Sequence, residues 1–196
     1  LSAKLSGTYH SAHVALDMAK ESLPGFPIVV LDTATAAAAE GLVVLETVRA
    51  AMSGAILDQV VSIVNDLSSR VRLLGFLDTL YYLGKGGRIP KLAAWMGTLL
   101  SIKPIIELAN GNIHPLERPR TKRRAMERLI SNMDQHLRDM TPHAIVVHGG
   151  APLEATELHT LIAQKFACQE LLVTELTPII GAHTGPGLVG CAYYGK

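Results

Sequence analysis

The sequence predicts an α/β protein in two parts, and three observations predict it. Short continuous apolar runs, at residues 28–31 and 144–148 for example, alternate with stretches of helical periodicity, the pattern of helices laid on a sheet. Asn110-Gly111 stands between two strand-like runs, which suits a tight primed turn and makes the later sheet mixed or antiparallel. The chain has 196 residues, 48% apolar and 18% charged, enough to bury a core and too apolar for a disordered segment. The expected architecture is a partial doubly wound parallel-sheet domain over residues 1–70, ending in a bridging helix. An α+β domain over residues 71–196, with a mixed or antiparallel sheet, follows it.

The elements follow in order. Val14, Met18 and Leu23 recur at roughly helical spacing and predict a helix over 8–22, with Ser6 or Thr8 placed to cap it. Pro24-Gly25 ends that helix. Ile28, Val29, Val30 and Leu31 then read as a strand buried on both faces. The Ala-rich stretch 36–52 suits a helix packed on a sheet, and Val60, Val61, Val64 and Leu67 give an amphipathic helix over 58–70. Past residue 70 the expectation is a strand at 71–77, a short helix at 80–83 and a glycine loop at 84–88. A helix from Pro90 to 100 leads into the hairpin at 102–120. Thr121 can cap a charged helix running to about Met140. Strands at 144–148 and 171–176 flank a helix at 153–166, and a Gly-rich turn at 181–187 precedes a last strand at 188–194.

Composition excludes several functions. Eighteen Lys and Arg against 17 Asp and Glu give a net charge of +1, so no global field draws the protein to nucleic acid or to an anionic membrane. Aromatic residues are 5% of the chain, too few for a base-stacking platform. Cys168 and Cys191 have no CxxC or metal spacing, and His10 and His13 have no third ligand at usable spacing, so no metal is expected. Glu40 and Glu46 interrupt the longest apolar stretch, which falls short of the ~20 residues of a membrane span. No basic region precedes an apolar stretch at the start, so a signal peptide is not expected and a cytoplasmic setting is.

Four motifs carry chemistry: Leu5-Ser6-Gly7-Thr8-Tyr9, Lys85-Gly86-Gly87-Arg88-Ile89, Ile102-Lys103-Pro104-Ile105 and the run from Gly181 through His183 to Gly187. Taken together and in this order they span nearly the whole chain, and the sequence resembles the DegV family of bacterial two-domain lipid carriers, which includes the fatty-acid-binding subunit of fatty acid kinase. The family's first strands have no counterpart here. The resemblance therefore implies a member without about its first third, with an unpaired edge at residues 28–31, a tendency to self-associate and one carboxylate-binding hydroxyl fewer. It also implies that Ser6 and His183 hold a fatty acid carboxylate. Arg88 and Arg120 would serve a partner kinase, and the ligand would be the fatty acid alone, with no cofactor.

Each of these residues has a plainer reading. Ser6 alone is an N-cap worth ~1 kcal/mol, and no Gly-x-Ser-x-Gly elbow marks it as a nucleophile. His183, in what reads as a glycine loop, is as compatible with a structural role. The glycines around Lys85 lack the Walker A spacing. Arg88 suits a bidentate contact to an anion or a solvated loop charge. Arg118, Arg120, Lys122, Arg123, Arg124 and Arg128 form a dense basic stretch that reads as an exposed face. The expected function is to bind a long-chain fatty acid and present its carboxylate to a separate ATP-dependent kinase for acyl-phosphate formation. The competing reading is an enzyme acting on a carboxylated or phosphorylated metabolite with Ser6, His183 and Asp32. An RNA-contacting module on the basic stretch is a third.

Overall fold

The computed structural model describes residues 1–87 and 102–196. Its sheet is built from β1 (Arg72–Phe76), β2 (Ile105–Ala109), β3 (Asn112–Glu117), β4 (Pro142–His148), β5 (Glu170–Glu175) and β6 (Val189–Gly195), in the order β3-β2-β1-β6-β4-β5. The helices are α1 (Thr8–Ser22), α2 (Ala37–Met52), α3 (Leu57–Arg70), α4 (Tyr81–Lys85), α5 (Lys122–Leu137), α6 (Pro152–Lys165) and α7 (Pro178–Thr184). The sheet is mixed. β4 and β5 run parallel with α6 as their crossover, whereas β6 is antiparallel to both of its neighbours, β1 and β4. The β2–β3 hairpin turns through Asn110 (φ 51°) and Gly111 (φ 75°), both left-handed as a primed two-residue turn requires.

Period-two alternation assigns the strand residues to two faces. Leu74, Phe76, Ala144, Val146, Val189, Cys191 and Tyr193 lie in one buried cluster with Met126, Leu129 and Met133 of α5 and Leu158 and Ile162 of α6. Ile145, Val147, Ala192 and Tyr194 lie in a second, with Ala38, Ala39, Leu42 and Val43 of α2 and Val64 and Leu67 of α3. Helices thus cover the sheet on both sides, and the order is α2/α3, sheet, α5/α6. Thr121 caps α5 as expected, its side chain accepting from the Arg124 N–H.

Two expectations are corrected. Residues 27–32 form no strand among the described residues. A strand exists only when a partner completes its ladder, and the apolar run 28–31 names no partner; Ile28 and Val29 are exposed. Residues 178–184 are helical, so the Gly-rich turn shrinks to the segment after Thr184. Pro178 starts the helix at its first position, Gly181 does not break it, and Gly185 at φ 72° stops it. The expected helix from Pro90 to 100 lies outside the described residues. None of the described helices is long and apolar enough to cross a membrane.

Candidate functional site

A cavity of about 370 Å³ opens on the α2/α3 face of the sheet, within the usual range for a small-molecule site. Its floor is β1 and β6, and its walls come from the residues before α1, the start of α2, the β2–β3 hairpin, Leu83 of α4, and α7. Among the described residues the lining carries no charged side chain, and its polar side chains are Ser6, Thr8, Thr177, His183 and Thr184. The structure therefore brings Ser6 and His183, residues far apart in sequence, to one apolar cavity.

Ser6 is fixed by a tight turn in which the N–H groups of Leu5 and Ser6 both donate to the Ser2 carbonyl oxygen. Its Oγ accepts from the Thr8 N–H at 3.2 Å and lies 2.8 Å from Thr8 Oγ1. The N-cap reading is thus partly realised by Ser6. The site gains more from the pair, because whichever hydroxyl gives its proton to the other, the second keeps an O–H to donate. Gly7 caps α1 without a side chain, and no acidic residue occupies the first turn, so the positive end of the helix faces the same place. Sequence reasoning placed Thr8 only as a cap. The Ser-Gly-Thr spacing across a helix start was the available signal that two hydroxyls would meet.

His183 sits in the last turn of α7, half-buried, and its imidazole makes no hydrogen bond among the described residues. Gly86 explains its placement. A Cβ built there would lie 2.7 Å from His183 Nδ1, so the imidazole occupies the space that a side chain at 86 would need. Two further glycines seat the end of α7: a Cβ on Gly185 would meet the Tyr82 ring at 2.1 Å, and one on Gly187 would meet the Asp78 carboxylate at 2.3 Å. Asp78 accepts from Lys103 Nζ at 2.7 Å, so the Ile-Lys-Pro-Ile motif acts by anchoring this corner. The glycines of the second and fourth motifs are one packing device, with α4 against α7.

The cavity floor is the part of the site that the sequence reading did not single out. Gly75 in β1 is paired with Gly190 in β6, and both line the cavity. A glycine inside a strand pattern was its signal. The Ala-rich helix contributes Ala37 to the wall together with Ala36 just before it, while its buried Ala38, Ala39, Leu42 and Val43 pack on the sheet side.

Other candidates separate from the cavity. Arg120 is exposed beyond the end of β3; Arg88 lies outside the described residues. Much of the basic stretch is spent on local ion pairs: Arg123 and Arg124 with Glu127, Arg128 with Glu117, Lys122 with Glu154. These pairs offset part of the positive charge of the stretch, which weakens the RNA-contacting reading. Asp32 accepts from the backbone N–H of Ala3 and Ala34, and no hydrogen bond joins Ser6, His183 and Asp32, so the enzyme reading finds no triad. Among the described residues the metal-capable group is Glu46, His143 and Glu170, with ligand atoms within 4.8 Å. Two cations already neutralise it: Arg49 donates to Glu46 at 2.6 Å and to both oxygens of Glu170 at 2.8 Å, and Lys196 donates to Glu46 at 2.8 Å. Both cysteines are free, and burial raises both thiol pKa values, which fits packing rather than reactivity.

The comparisons with known proteins agree with this geometry. The model of the DegV family, described as uncharacterised proteins, matches residues 1–196. The chain belongs to the DegV family. A DegV domain-containing protein of Lactococcus lactis is 34% identical over 189 residues, covering 96% of this chain and 65% of that protein. This chain thus spans just under two thirds of that relative's length. Among solved structures, a fatty-acid-binding DegV family protein from Thermus thermophilus superposes with a TM-score of 0.92 at 30% identity, over 100% of this chain and 69% of that one. A DegV lipid binding protein from Thermotoga maritima gives 0.88 at 27% identity, over 100% and 67%. The mixed-sheet α/β architecture is the DegV fold.

Proposed function

We propose that this DegV chain holds one long-chain fatty acid, its tail in the apolar cavity and its carboxylate between the Ser6–Thr8 hydroxyl pair and His183. The observation that carries the reading is the cavity itself, lined among the described residues by apolar side chains with five polar ones and no charged one. A site for a sugar or a nucleotide would need many more polar partners. About fourteen buried methylenes at ~0.8 kcal/mol each supply on the order of 11 kcal/mol before entropy costs, so the tail dominates affinity. The few polar groups then fix the head. Solved members of the family described as fatty-acid-binding support the same ligand class.

The cavity draws on residues on both sides of residue 70, so a division at 1–70 and 71–196 would put the lipid at the junction. In this reading the protein is a carrier in the cytoplasm rather than an enzyme. It needs no cofactor and presents the carboxylate to a separate ATP-dependent kinase, with Arg88 and Arg120 meeting that partner. The exposed position of Arg120 supports docking, where rim charges set register. Native mass spectrometry of the purified chain tests the ligand: a co-purifying adduct with the mass of a fatty acid is expected, and a protein that neither carries nor takes up such an acid refutes the reading. Charge reversal at Arg120 is expected to leave acid affinity unchanged while abolishing acyl-phosphate formation in the presence of ATP and the kinase. Equal loss of lipid binding would place Arg120 at the ligand instead.

A further inference from the structure

We infer that Gly75 is a specificity-determining residue: its missing side chain sets the depth of the cavity floor, and with it the length of acyl chain accepted. The inference rests on the fatty-acid reading above. Leu74, Phe76, Val189 and Cys191 fill the opposite face of the sheet, so the paired Gly75 and Gly190 turn toward the cavity that both line. Two adjacent positions without Cβ leave bare backbone on its floor.

The two glycines are there for different reasons. A Cβ on Gly190 would sit 2.4 Å from the Leu74 carbonyl oxygen and 2.9 Å from Gly75 Cα, so close strand approach alone demands glycine at 190. At Gly75 a Cβ would meet the Val189 carbonyl oxygen at 3.3 Å and Gly190 Cα at 3.5 Å, a tight contact for which the facing strand must yield a few tenths of an ångström, well short of the collision at 190. Gly75 is also not among the glycines with positive φ. Its conformation does not require glycine and its packing demand is the milder of the two, and the space above it is what the missing side chain leaves open. Gly75 is buried, whereas Ser6 and His183 are half-buried; the carbons distal to the carboxylate therefore reach the floor.

The test titrates the delipidated chain with saturated acids from decanoic to octadecanoic. Gly75→Ala is expected to weaken octadecanoic acid on the order of tenfold while changing decanoic acid less than about twofold. Leu73→Ala, which enlarges the same floor, moves the preference toward longer acids. An unchanged length profile in Gly75→Ala, or an equal loss at every length, overturns the inference while the fatty-acid reading stands. A wild-type chain that binds none of the acids overturns both. Should Gly75→Ala fail to fold, an unmoved length preference in Leu73→Ala overturns the inference on its own.

Discussion

The two faces of the sheet are built from the same strands and do opposite things. Against α5 and α6, β1 and β6 present Leu74, Phe76, Val189, Cys191 and Tyr193, and the layer between is filled. Against the other side the same two strands present Leu73, Gly75 and Gly190, and a cavity remains. Filling one face with interlocking aliphatic and aromatic side chains gives it the dispersion and burial that stabilise a fold. Leaving part of the other empty forgoes some of that gain and makes room for a ligand. On β1 and β6, then, a filled layer and the candidate ligand cavity lie on opposite faces of one sheet.

Phe76→Ala is the strongest way to break the comparison. The side chain is fully buried on the filled face, and its removal is expected to cost about 4 kcal/mol, read as a large drop in Tm. Leu73→Ala on the opposite face of the same strand is expected to cost about 1 kcal/mol, because part of its surroundings is already empty. Equal losses would erase the distinction between the faces. Gly190→Ala comes next, expected to destabilise by about 3 kcal/mol through collision with the Leu74 carbonyl; a wild-type Tm would show that the strands are less close than the structure has them.

A smaller change sharpens the comparison at the cavity mouth. Gly86→Ala displaces the His183 imidazole and is expected to weaken fatty acid binding about fivefold, near 1 kcal/mol, with Tm almost unchanged. Titration by fluorescence or calorimetry measures it, and unaltered affinity would remove His183 from the head site. The smallest effect is in acid. Hydrogen bonds from Arg49 hold the Glu170 carboxyl down to about 2. A carboxylate whose folded pKa is depressed stabilises the fold above its unfolded value near 4.5 and loses that contribution as the pH falls toward 2. Arg49→Met should flatten the loss between those limits, and denaturant midpoints at pH 5 and pH 3 would show it; identical slopes would mean that the pair contributes nothing.

Much of this was legible in the chain. Helical periodicity located α1 and α3, Ala-rich composition α2, the Thr121 cap α5 and the flanking strand runs α6, all to within a few residues, because each of these signals is a local property of consecutive residues. Asn110-Gly111 announced its turn because both residues tolerate positive φ. The segment at 178–184 was misread because glycine frequency was given more weight than the Pro178 start signal. Ser6 and His183 stood out by motif, but Thr8 stood out only as a cap and the Gly75–Gly190 floor not at all: a hydroxyl pair and a cross-strand glycine pair are relations between residues, which no single position displays.

Composition and periodicity by themselves determined the class of fold, most element positions and the absence of a global charge, since each depends on residue type and near neighbours alone. The order β3-β2-β1-β6-β4-β5 came from tertiary structure, which set the last strand between the first and the fourth and so brought Gly190 beside Gly75. It also laid Gly86 against His183 and carried Ser6 to the same cavity. Contacts between distant segments are decided by which packing of all the elements buries the most apolar surface with every ladder paired, and no window of the sequence contains that sum.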